Sequence, residues 1–367
     1  MPAPLKLLIP GPVQPDDDVL AVMGEPVQAH YGPAWTELYR ETTRALAQVF
    51  GTSGDVHLLV GSGSAALDAC LGSACASGQT VIIGVNGFFG QRLQAIAESY
   101  GLTVVPVPAP WGQPLNPADF AAALAAHPQA ALVAVCHVET STTIVNPIEA
   151  IGAVVRARAN TFLVDAVSSL GGLPLRMDDW HIDLCAGASQ KCLGAPPGLA
   201  PVAVGSRGWQ AIDRVPAKGH GWYLNLSVWR QFAVEWGDWH PYPITLATNN
   251  VRALRASVLG LLAEGLDQRF QRYRALALRL RQGLRSIGLE PFTPDALLNP
   301  VVTAAYGPPG VPTSRLVAYM AERHGIKIAG GMGPEWKDRL IRIGHMSPRL
   351  TLADMDDLVA RLAQFPN

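Results

Sequence analysis

From about Val56 to Val204, short apolar runs alternate with helix-length stretches in which apolar and polar positions share two faces. Val56–Val60, Thr80–Val85, Thr103–Val107, Ala131–Val138, Thr161–Asp165, Ile182–Ala186 and Val202–Val204 read as strands. Between them, Ser64–Cys75, Gln91–Tyr100, Pro117–Ala126 and Pro147–Arg158 carry apolar residues at helical spacing. Asn116-Pro117 and Asn146-Pro147 would each put an N-cap before a proline at the first helical position. Strands separated by helices in this way predict an α/β domain: a mostly parallel seven-stranded sheet between helices.

After Asn250 the pattern changes. Val251–Leu266 and Phe270–Ile287 read as long amphipathic helices, followed by apolar runs at Val301–Tyr306 and Leu340–Ile343 and a helix near Leu352–Leu362. This predicts a smaller C-terminal α+β domain. The division expected is an N-terminal arm over 1–20, a large domain over 21–258 and a small domain over 259–367. No Ser/Gly linker marks the boundary, so it should fall within or beside a helix.

Composition narrows the function classes. The chain has 367 residues, of which 49% are hydrophobic and 16% charged, with a formal net charge of -1. That balance excludes a disordered chain and a basic nucleic-acid surface, leaving a small-molecule enzyme as the natural expectation. No run approaches a membrane span, and Met1–Lys6 lacks the apolar core of a signal peptide, so the cytoplasm is expected. Cys70, Cys75, Cys136, Cys185 and Cys192 form no C-x-x-C pair and lie mostly in apolar runs, so they read as buried thiols, and no metal site is expected. Several of the nine tryptophans crowd between Trp222 and Trp239, where they could line a pocket or an interface.

Three segments carry candidate chemistry. Lys191 is one of five lysines, with Lys6, Lys218, Lys327 and Lys337, and alone lies between an apolar strand and a rigid turn, Pro196-Pro197-Gly198. Burial there would lower its pKa, and a neutral amine is the form that attacks a carbonyl. Gly61-Ser62-Gly63-Ser64 lies between a strand and a helix, where backbone N–H groups and the helix dipole hold a phosphate. The same turn satisfies G-x-G-x-x-A, but a nicotinamide oxidoreductase would need an acid at the end of the next strand, and Val81–Gly87 has none. Asp165 ends an apolar strand at the sheet edge where α/β folds bind ligands. A carboxylate there could cap a helix, hold a metal, orient a histidine or keep a pyridine nitrogen protonated.

Taken in order, anion cup, strand-end aspartate and a lysine 26 residues later are what pyridoxal 5'-phosphate requires: a phosphate site, a partner for the ring nitrogen and a Schiff-base amine. The chain resembles the class V aminotransferases of the type I pyridoxal phosphate fold, especially the alanine–glyoxylate and serine–pyruvate aminotransferase group. The resemblance spans nearly the whole length. It runs through Ile9-Pro10-Gly11-Pro12, His30-Tyr31-Gly32-Pro33, Ser62-Gly63-Ser64 and Asn86-Gly87-Phe88-Phe89-Gly90-Gln91-Arg92. It continues through His137–Thr142, Val164–Gly172, the Lys191 segment and Arg342-Ile343-Gly344-His345.

The resemblance implies that Ser62, Gly63, Ser64 and Gln190 hold the phosphate, that Phe89 stacks on the ring in place of the family's usual Trp, and that Thr140 touches the ring hydroxyl side. It implies Lys191 and Asp165 as catalytic, and Arg342 as the grip on the substrate carboxylate, with Gly11 beside it. Tyr242 and Thr245 match a Tyr-x-x-Thr by which a neighbouring subunit completes the phosphate site, which implies a homodimer. Arg339 and Arg349 read as surface charges. The expected reaction is ping-pong transfer from alanine or serine to glyoxylate or pyruvate. Alternatives are ureidoglycine–glyoxylate or pyridoxamine–pyruvate transamination, the latter disfavoured by the intact Ser62-Gly63-Ser64, and a lyase or desulfurase, disfavoured because Gln190 rather than His precedes Lys191. Roles for His30, Tyr31 and His345 in substrate selection stay open.

Overall fold

The computed structural model describes residues 5–215 and 221–366, so Lys218 lies outside the described residues. Seven strands form the main sheet: β1 (Asp55–Val60), β2 (Thr80–Val85), β3 (Thr103–Pro108), β4 (Leu132–Cys136), β5 (Thr161–Asp165), β6 (Leu184–Ala186) and β7 (Leu199–Val204). Their spatial order is β1-β7-β6-β5-β4-β2-β3, and only β7 runs against its neighbours. Every residue of β4, β5 and β7 is buried, as a sheet covered by helices on both faces requires. Pro106 and Pro108 fall on β3, an outermost strand, where a missing N–H costs no ladder bond on the open side.

Two expected elements change. The run Ala131–Val138 is not one strand. β4 stops at Cys136, and Val138–Glu139 turns back to pair with Ile144–Val145, which moves Glu139 and Thr140 out of the sheet to its edge. Asn146 is not a helix cap either. Its side chain accepts from Leu115 N at 3.0 Å and donates to the Cys136 carbonyl at 2.8 Å, so the helix begins one residue later, over Ile148–Ala157. Asn116 does cap, accepting from Ala118 N at 3.1 Å.

The smaller sheet has β8 (Val302–Tyr306), β9 (Ala329–Gly330) and, between them, β10 (Leu340–Gly344), antiparallel to both. The large core runs from Trp35 to Leu261, and the second is built mainly from residues 273–362. The helices Thr248–Glu264 and Leu266–Ser286 meet at Gly265, whose φ of +87° favours glycine. The N-terminal segment crosses over. Lys6–Leu7 pairs with Ile326–Lys327, and Leu8 and Val13 are buried in the second core.

This topology fixes where the site lies. The C-terminal ends of β1, β2, β4 and β5 open together, and the first two lead directly into the helices Gly63–Ala74 and Phe88–Ser99. Helix N-termini and strand ends therefore converge on one crevice.

Candidate active site

Lys191 sits on a turn tied at several points. Ser189 N donates to Leu199 O at 3.0 Å, Gly194 N to Lys191 O at 2.9 Å, and Ser189 Oγ to Pro196 O at 2.7 Å. The Lys191 ammonium donates to the Pro10 carbonyl. Beside it, Gly11 has φ +95°, and a Cβ there would lie 2.7 Å from Nζ, so this position demands glycine twice over. Burial pushes the Lys191 pKa down to about 8, and the positive charges of Arg342 and Arg92 act in the same direction.

Asp165, at the end of β5, accepts from Val167 N through Oδ1 at 2.9 Å. Its Oδ2 has Cys136 Sγ at 3.5 Å, a weak donor, so the buried carboxylate retains acceptor capacity. Burial raises its pKa, opposed by the Val167 hydrogen bond, the Cys136 thiol and the Lys191 charge. A protonated ring nitrogen is the partner such a carboxylate suits. Ser62 is the extended N-cap of helix Gly63–Ala74, and its hydroxyl makes no capping bond. A Cβ on Gly63 would come within 2.4 Å of Val167, so only glycine lets the backbone donors stand this close to the aspartate turn.

Ser62, Gly63, Ser64, Phe89, Asp165, Gln190 and Lys191 line one cavity of about 440 Å³ together with Gly11 and Arg92. Backbone and hydroxyl donors at one end, a carboxylate at another and an amine on the wall fit pyridoxal phosphate. Arg342 and Thr140 line a second cavity of about 380 Å³, which shares Gly11, Phe89 and Lys191 with the first. Arg342 lies on β10, buried, and donates through Nε to Gly330 O at 2.8 Å and through Nη1 to Thr140 O at 3.2 Å. Burial lowers its pKa to about 10, with the Glu139 carboxylate opposing the shift. Thr140 is thus found beside Arg342 and does not line the first cavity.

Sequence reasoning passed over Glu139. It is fully buried and accepts from Phe89 N and Gly90 N, both at 3.0 Å, and from Ser141 Oγ at 2.5 Å. It therefore anchors the start of the helix that carries Phe89 and lies one residue before the carbonyl that holds Arg342. Its place in His137–Thr142 was the available signal.

Other candidates are placed elsewhere. Tyr242 is fully buried, and its hydroxyl accepts from Trp35 Nε1 at 2.6 Å and donates to the His30 carbonyl. Thr245, three residues on, is exposed. His345 is buried in the small domain against Thr303 Oγ1 at 3.0 Å, away from either cavity. His30 meets His240 at 3.0 Å, and Tyr31 is exposed. Arg349 pairs with Asp17 and Arg339 with Glu335, as surface charges do. All five cysteines are buried and free.

Among the described residues no helix is long and apolar enough to cross a membrane, and no three His, Cys, Asp or Glu side chains are grouped to hold a metal ion. The sheet order, the strand-end crevice and the lysine turn are those of the type I pyridoxal phosphate enzymes. Within that fold, the chain belongs to the class V aminotransferases: the family model described as Aminotransferase class-V matches residues 21–331. It is a pyridoxal phosphate-dependent transaminase. An uncharacterized aminotransferase of Methanocaldococcus jannaschii is 35% identical, over 93% of this chain and 87% of that protein. The (S)-ureidoglycine–glyoxylate transaminase of Bacillus subtilis is 33% identical, over 93% of this chain and 85% of its own. The crystal structure of an alanine–glyoxylate aminotransferase from Nostoc sp. superposes with a TM-score of 0.94 at 31% identity, covering 99% of this chain and 96% of that one.

Proposed function

We propose that this transaminase moves the amino group of a small amino acid, alanine or serine, to a small 2-oxo acid, glyoxylate or pyruvate, in a ping-pong cycle. The observation that carries the reading is Lys191 on the shared wall of two cavities, with Asp165 and Ser62–Ser64 in one and Arg342 in the other. Pyridoxal phosphate, when bound, supplies the electron-withdrawing ring that acidifies the donor's α-hydrogen. Ser62, Gly63, Ser64 and Gln190 would hold its phosphate, Phe89 would pack on its ring, and Asp165 would keep the ring nitrogen protonated. Lys191 would be the residue that holds it covalently, and its amine, neutral when free, would carry the proton removed from the donor's Cα. Arg342 grips the carboxylate with its planar fork, steadied by the Thr140 carbonyl, and Gly11 leaves room for the substrate beside the lysine.

Much of the second cavity's wall is apolar, with Ile9, Val317, Ile328 and Met332, which supports a short uncharged donor side chain. The names of the Bacillus and Nostoc proteins support glyoxylate as acceptor. A second reading, a substrate with a distal carboxylate, is favoured by Lys327, which lines the same cavity and has no ion-pair partner among the described residues. The intact Ser62–Ser64 cup supports a resident phosphorylated cofactor over the vitamin as substrate.

The same reading makes the enzyme a cytoplasmic homodimer. Tyr31, Trp222 and Trp239 are each about half exposed, at 50%, 53% and 49%, and Tyr31, Trp239 and Trp236 form a continuous ring-to-ring contact. Such a patch is what a second copy would cover. The test of the reaction is the visible band of the purified holoenzyme during addition of single amino acids. Alanine or serine should bleach it, and glyoxylate or pyruvate should restore it. Bleaching by aspartate alone would select the second reading, and a band unmoved by every amino acid would overturn both.

A further inference from the structure

We infer that Arg92 supplies the cation for the cofactor's phosphate, a role that rests on the reading of the 440 Å³ cavity as the cofactor site. Arg92 lies three residues beyond Phe89 on the helix Phe88–Ser99, hence on the same face. Its guanidinium carbon is 4.9 Å from the Phe89 ring centroid and 5.1 Å from that of Phe88. It lines the cavity that contains Ser62, Gly63 and Ser64 and is absent from the lining of the cavity that contains Arg342.

The charge inventory of the first cavity makes this placement informative. Ser62–Ser64 and Gln190 offer only neutral donors, reinforced by the partial charge of a helix N-terminus. Lys191 surrenders its simple ammonium character once it holds the cofactor covalently. Among the described residues, Arg92 is then the one permanent cation lining a cavity that must accept a phosphate dianion. Among the described residues no carboxylate forms an ion pair with Arg92 and no acceptor takes its N–H groups. Its charge already acts on Asp165 and Lys191, so it lies within electrostatic reach of the groups around the ring. The guanidinium lies beside both the Phe88 and the Phe89 rings, contacts that occupy none of its N–H donors and leave them available to phosphate oxygens.

The test compares two vitamers that differ only by the phosphate. Cofactor is removed from the holoenzyme, and pyridoxal phosphate and pyridoxal are titrated back by visible absorbance into wild type, Arg92→Met and Arg92→Lys. Thermal melting of each apoprotein confirms the fold. Arg92→Met should weaken pyridoxal phosphate by about 10- to 100-fold while pyridoxal changes by less than about twofold, and Arg92→Lys should recover part of the loss. Inorganic phosphate should compete with pyridoxal phosphate less effectively in Arg92→Met than in wild type. Equal weakening of both vitamers would assign Arg92 to packing on Phe89 and overturn the inference, as would no weakening of either. Failure of wild type to take up either vitamer would instead overturn the reading of the cavity itself.

Discussion

The two cavities on either side of Lys191 are built differently. The cofactor cavity draws nearly all its wall from the large domain, from strand ends, helix N-termini and the lysine turn. The substrate cavity is composite: Phe89 and Thr140 come from the large domain, Ile9 and Gly11 from the N-terminal segment, and Val317, Met332 and Arg342 from the small one. On the proposed reading, chemistry common to every transamination is drawn mostly from one domain, whereas the surfaces that would choose a substrate come from three parts of the chain. A change in how the small domain seats bears on the second cavity directly and on the first only through Gly11 and Pro12.

Substitutions can break that division, starting with the group both cavities share. Lys191→Ala should lower turnover by about 10⁴-fold or more and abolish borohydride trapping at this position, since it removes both the covalent anchor and the proton carrier. Normal turnover or trapping in that variant would sink the assignment. Asp165→Asn acts only through the cofactor cavity and should lower kcat by about 10²- to 10³-fold with little change in KM. An unchanged turnover number would remove Asp165 from the chemistry. Arg342→Ala should raise KM for carboxylate substrates by about 10- to 100-fold and leave an amine lacking the carboxylate unaffected. If both kinds of donor suffered alike, Arg342 would be holding the domains together instead of the substrate.

The smallest effect is a pH dependence. A buried amine whose pKa is lowered to about 8 gains its neutral form as pH rises through that value. Capture of pyridoxal phosphate by the apoprotein should therefore accelerate from pH 7 and level off above about 8, whereas an ordinary lysine would still be gaining at roughly pH 10. Stopped-flow absorbance across that range distinguishes the two.

The alternation of strand and helix made the large sheet legible, because fully buried parallel strands leave unbroken apolar runs between amphipathic helices. It could not give the reversed direction of β7, since a buried run reads the same both ways. Asp165, Ser62–Ser64 and Lys191 were legible because a strand end, a glycine turn and a Pro/Gly turn are local signals. Asn146 was misleading for the same reason: its local pattern is that of a cap, but its amide is taken by Leu115 and Cys136 from distant segments. Tyr242 matched a motif whose spacing says nothing about Trp35, which claims its hydroxyl from 207 residues away. Glu139 and Arg92 lie inside segments that carry the family resemblance, but which groups a hairpin and a helix bring near them is a tertiary fact.

The segment that carries Pro10 and Gly11 ties the lysine to the second core. Leu8 and Val13 are buried there, while between them Pro10 accepts from the Lys191 amine and Gly11 packs on its side chain. A chain cut after residue 258 would retain the residues assigned here to the cofactor and still lack what presses this segment onto the lysine. The second core therefore seats the segment that covers the nucleophile. The surroundings of the amine are thus set by both cores together and not by the large sheet alone.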